Sequence, residues 1–149
     1  MRHSLVSRSR RFLVADSEGG ALVEMAVTLP LVMIIMTGIF SFSFALYQKL
    51  QLAEAVSGAG HYLAIARGAS DPCAITISSI YTGAPGLAAS NMTISLSQNG
   101  TALPTSCSGN TLTKGANATV LVTYPTSLAV YGMPYASFNL SQQITEIVQ

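Results

Sequence analysis

Gly19-Gly20-Ala21-Leu22-Val23-Glu24-Met25 opens the main apolar run of the chain, and its reading decides the fold. From residue 25 to residue 48 no side chain is charged, which meets the roughly 20 residues needed to cross a ~30 Å hydrocarbon layer as a helix. The run reads as a membrane span. Glu24 breaks the pattern: it sets a carboxylate at the entrance of the span, behind a glycine pair, where an intramembrane acid costs about 2.5–3.5 kcal/mol on insertion scales. An acid held there calls for a partner of opposite charge.

Outward from that stretch, charge is distributed unevenly. The net charge is only +1, yet four of the seven basic side chains, Arg2, Arg8, Arg10 and Arg11, precede the run. Positive charge flanking a span stays on the cytoplasmic side, so the N-terminus is expected there and everything after Tyr47 outside. The basic cluster lacks interleaved aromatic residues, which argues against nucleic acid. A secretory signal has a 7–15-residue apolar region followed by a small-residue cleavage site; here the apolar region is longer and runs into Tyr47-Gln48-Lys49. With 9% charged and 50% hydrophobic residues the chain is too apolar for an ordinary soluble domain.

A basic leader, a small-residue junction and a glutamate just inside a hydrophobic helix resemble a prepilin-type signal. The longer run Glu18-Gly19-Gly20-Ala21-Leu22-Val23-Glu24-Met25-Ala26-Val27-Thr28-Leu29-Pro30-Leu31, followed by Thr37-Gly38-Ile39-Phe40, resembles the TadE-like pseudopilin family of the tight-adherence (Tad, Flp-type) pilus system. Met25 stands where that family often has an aromatic residue, and Ser41 where an acid often follows the Gly-Ile pair. The resemblance implies removal of residues 1–19 as a leader by a prepilin peptidase, with the cut at Gly19/Gly20. A cut after Gly19 makes Glu24 the fifth residue of the mature chain; a cut after Gly20 makes it the fourth. Glycine suits the cleavage point because an extended backbone without a Cβ fits a protease cleft at little steric cost.

A helix is expected over residues 20–67, about 72 Å long at 1.5 Å per residue, so that it projects well beyond the bilayer. Pro30 removes one backbone bond inside the span and is expected to bend it. Past Tyr47 the pattern becomes amphipathic: Leu46, Leu50, Ala53, Val56, Gly60 and Leu63 fall on one stripe. That stripe is expected to pack on the chain's own C-terminal domain or on a neighbouring subunit. Ser57-Gly58-Ala59-Gly60 is poor helix material and points to close packing or local weakness.

Gly68-Ala69-Ser70-Asp71-Pro72 reads as a helix stop, with Gly68 as a left-handed cap. Residues 68–149 form the expected external domain. Pro72 can open a short helix over residues 74–81, and residues 82–91 read as loop. Met92, Ile94 and Leu96 alternate with polar residues as a strand ending in the turn Asn99-Gly100. A second strand is expected over residues 118–124, stopping at Pro125, and residues 126–136 as a long connection that could meet partners. Residues 138–148 suit either a strand or a helical face; the TadE-like resemblance, which implies a terminal sheet, favours the strand. Cys73 and Cys107 both lie on the expected oxidising side and read as a disulfide, free buried thiols being the alternative.

The fold class expected is therefore α+β: a long N-terminal transmembrane helix extending outside the membrane, then a small antiparallel sheet domain with one disulfide. Serines are plentiful, but a nucleophile needs a base within hydrogen-bond reach, and His61 is the one histidine after the span. No phosphate-binding glycine loop, cofactor motif or metal-ligand spacing is present, so neither an enzyme nor a cofactor is expected. The expected product is a subunit of a bacterial inner-membrane assembly. Its partners are a prepilin peptidase, other pilins or pseudopilins, the Tad assembly platform and the lipid bilayer. From the placement of its carboxylate, Glu24 is expected to pair with the new ammonium at Gly20 of a neighbouring subunit in a packed array of such helices. A single-span anchored binding module is the alternative.

Overall fold

A computed structural model describes residues 9–130 and 132–149. Helix α1 runs Ser9–Ile65, followed by α2 (Pro72–Gly83) and four strands, β1 (Thr93–Gln98), β2 (Thr101–Leu103), β3 (Asn117–Val130) and β4 (Met133–Ile147). One antiparallel sheet has the order β2-β1-β3-β4. The long helix and the small disulfide-tied sheet match the expected α+β class.

Several boundaries differ from expectation, each for a local reason. Helix α1 begins at Ser9, ahead of Gly19, because residues 9–18 contain neither proline nor glycine to stop it. It stops at Ile65, and Gly68 takes the left-handed φ of 88°. Asp71 then caps α2 by accepting from the Ala74 N–H at 2.9 Å, with Pro72 in the first turn, where its missing N–H costs nothing.

The sheet has four strands rather than three. Asn99 (φ 48°) and Gly100 (φ 81°) turn β1 directly into the short β2; Thr-Ala-Leu is too brief for an alternation to announce it. Nor does β3 stop at Pro125. Strand β1 pairs with β3 only up to Thr123, so Pro125 lies where β3 has lost that neighbour and its missing N–H breaks no ladder on that side. The stretch expected as a connection is thus a two-stranded ribbon: β3 and β4 pair from Asn117↔Ile147 to Val130↔Met133, with Gly132 at φ 77° in the turn. The ladder steps from Ala136 to Pro134, leaving Tyr135 without a partner opposite. The last segment is strand, and Ile147, which a helical face would have buried, is 61% exposed.

One core joins all these elements. Leu52, Val56 and Leu63 of α1 are fully buried with Ile80 of α2, Val120 and Val122 of β3 and Val148 at the C-terminus. The α1 stripe does pack on the chain's own domain, but shifted from its expected position. Leu46 and Leu50 are exposed, whereas Ala45, Gln48, Leu52 and Ala55 turn inward. Small and polar residues occupy the contact because a strand backbone lies against them, which hydrophobic periodicity does not register. Gly60 is part of the same close approach, since a Cβ there would overlap the Ile144 side chain.

Candidate functional site

The N-terminal part of α1 stands bare. Every residue from 19 to 36 is exposed, and Leu22, Val23, Met25, Val27 and Leu31 each leave 60% or more of their surface uncovered. An apolar surface of this extent on a folded chain marks a membrane or helix-packing surface. Mean hydropathy over its most apolar window reaches 2.2, and the helix is long and apolar enough to cross a membrane. The Thr37 hydroxyl is satisfied within the helix, Oγ1 donating to the Met33 carbonyl at 2.9 Å and the Ile34 carbonyl at 3.0 Å.

Gly19, Gly20 and Glu24 lie on this bare helix. Both glycines have open space where a Cβ would stand, and Gly20 is one turn ahead of Glu24 on the same face. Glu24 is exposed and is the sole charged residue between Gly19 and Lys49. Pro30 is carried inside the continuous helix.

Cys73 and Cys107 form the disulfide, with Cα atoms 5.4 Å apart. Beside it Asp71 gathers the loop before the short 3-10 turn Gly109–Thr111. Its carboxylate accepts from the Ser106 hydroxyl, from Ala74 N–H at 2.9 Å and from Cys107 N–H at 3.0 Å. The Ser106 hydroxyl, then the two N–H groups, hold its carboxyl below the ordinary aspartate range. This cluster is a structural clasp at the start of α2. A shallow groove between α1 and α2, lined by Glu54, Ala55, Gly58, Ala59, Ser79 and Gly83, brings one carboxylate to small side chains.

The contact that sequence reasoning missed is between α1 and the β3–β4 ribbon. Thr126 Oγ1 donates to Gln48 Oε1 at 2.6 Å, and the Ala129 N–H donates to Ser41 Oγ at 2.9 Å. Residues 41–48, expected within the span, are therefore covered on one side by this ribbon. The absence of any charged residue from 115 to 145 was the available signal for it.

A family model described as TadE-like protein matches residues 19–60, the segment from the glycine pair to the close contact at Gly60. No curated protein and no solved structure matches the chain.

Proposed function

We propose that this TadE-like chain is a minor pilin or pseudopilin of a Tad (Flp-type) pilus, matured by a prepilin peptidase and assembled through its bare apolar helix. The observation that carries the reading is the helix itself: a surface uncovered from residue 19 to residue 36, headed by Gly-Gly with Glu24 one turn beyond, set apart from the single buried core that Leu52, Val56 and Leu63 form with the sheet and α2. A helix that is apolar all round needs lipid or other helices about it.

In this reading the peptidase cuts at Gly19/Gly20, and the leader with its arginines stays in the cytoplasm. The disulfide-tied domain faces the oxidising side of the bacterial inner membrane. The new ammonium at Gly20 meets the Glu24 carboxylate of a neighbour, and pairing in low dielectric relieves charges that would each be costly alone. A slip by one helical turn would strand both, so the pair sets register between subunits. Pro30 bends the helix near the cytoplasmic face. Other pilins and the assembly platform pack on the exposed faces, and no catalytic step is required of the chain.

Intact mass and N-terminal sequencing of the membrane-extracted protein, with and without a prepilin peptidase, test the reading. A mature chain beginning at Gly20 or Ala21 only when the peptidase is present is the expected result. A chain that keeps Met1 under both conditions would leave a tethered binding module instead. Glu24→Gln should still be cut yet fail to join pilin complexes, and incorporation equal to wild type would remove the charge pair.

A further inference from the structure

The β3–β4 ribbon leaves the sheet and runs down α1 toward the apolar end. Going from Thr126 to Ala129 along β3, the partners on α1 go back from Gln48 to Ser41. Three strand steps and seven helical steps each advance about 10 Å, so strand and helix stay side by side over this length. The turn lies further on still.

The tip is apolar and uncovered, with Met133 70% and Tyr135 86% exposed, and Phe138, further up the ribbon opposite Thr126, is 40% exposed. At the same level the other faces of α1 show Phe40, Phe42 and Phe44, each more than half exposed. No charged residue lies between Lys114 and Glu146 to keep the ribbon in water. Its backbone is also prepared for a drier setting, since Pro125 and Pro134 carry no N–H and the Ala129 N–H is taken by Ser41. An open ribbon still has unpaired edge groups, so it can enter the interfacial layer but not the hydrocarbon core.

We infer that the tip of the β3–β4 hairpin, through Met133 and Tyr135, is a membrane-interface anchor seated among phospholipid headgroups and upper acyl segments on the outer side. This rests on the membrane-span reading of α1. Aromatic residues with a polar end settle in that layer. The anchor moves the outer boundary of the span from Gln48 to about Phe40. Residues 20–40 then cross the hydrocarbon, about 31 Å of helix at 1.5 Å per residue, and Glu24 lies one turn inside the inner boundary.

The chain contains no tryptophan, so one introduced indole reports its own surroundings. Full-length Tyr135→Trp is reconstituted in phosphatidylcholine vesicles with or without bromine at acyl positions 6 and 7, with Tyr81→Trp on α2 as the comparison. Flotation with the vesicles checks the span, and the disulfide, verified by mass, checks the fold. Among floated protein, brominated lipid should remove roughly half of the Tyr135→Trp emission and leave Tyr81→Trp unchanged, as interfacial seating of an aromatic side chain requires. Equal and negligible quenching at both positions overturns the anchor while leaving the span intact; failure to float overturns the span reading and the anchor with it. A blue-shifted Tyr135→Trp emission that ignores bromine and grows with protein density would assign the tip to a second copy, also overturning the anchor. Met133→Trp, at the other exposed tip position, repeats the test should Tyr135→Trp fail to form the disulfide.

Discussion

Asp71 shows how much one side chain can tie together in a domain of this size. It caps α2 and holds the Ser106–Cys107 segment against the helix start, beside the disulfide. Its carboxyl is held below the ordinary aspartate value by the Ser106 hydroxyl and the Ala74 and Cys107 N–H groups. A depressed folded-state pKa contributes stability that is fully present above the unfolded value and lost as pH falls through the folded one. Asp71→Asn should therefore melt below wild type at neutral pH, with the gap closing as the solution is taken below about pH 4. Thermal melts of both proteins across that range measure it, and a gap independent of pH would mean that the ionised carboxylate adds nothing. Gly60 makes the complementary point about space. A methyl group there overlaps Ile144 on β4, and forcing a strand away from its helix should destabilise Gly60→Ala by about 1–3 kcal/mol. Gly58, two residues earlier, has open space where its Cβ would stand; Gly58→Ala should be neutral or stabilising in the same denaturant titration.

Among the elements, the β3–β4 ribbon departs furthest from what local pattern indicates. Proline stops a central strand but is accepted where one neighbour is missing, and only the end of β1 pairing at Thr123 reveals that β3 has become such a strand. The ribbon is held to α1 through Gln48 and Ser41, the first of them buried. Removing the Gln48 amide leaves Thr126 without its acceptor. Gln48→Ala should cost about 1 kcal/mol and speed amide hydrogen exchange in residues 125–138 while leaving β1 and β2 protected. Uniformly faster exchange across the sheet would show that the ribbon has no independent opening.

At the scale of the molecule, the core does not respect a boundary at residue 68. Leu52, Val56 and Leu63 belong to the same buried cluster as the sheet, and the Gln149 N–H donates to the Ala64 carbonyl at 2.9 Å. A fragment of residues 70–149 would expose that face of the sheet. It should show no cooperative melt, whereas residues 45–149, which keep the covering helix, should unfold in one transition with the disulfide formed. Cooperative unfolding of the shorter fragment would show that the sheet and α2 suffice.

The sequence by itself determined what short-range physics can express. Composition and run length marked a helix long and apolar enough to cross a membrane, Gly68 and Pro72 ended one helix and opened the next, and two cysteines in the segment after that helix indicated a disulfide. Each of these depends on residues near in the chain or on a property of the residue type alone. Tertiary structure decided which side of α1 is covered and where residues 125–138 go. Ala45 and Gln48 look unremarkable to a hydrophobic period; they face inward because a strand from far along the chain, with Thr126, lies against them. Pairing across that distance depends on the register of the whole sheet, and no local pattern in either segment encodes it.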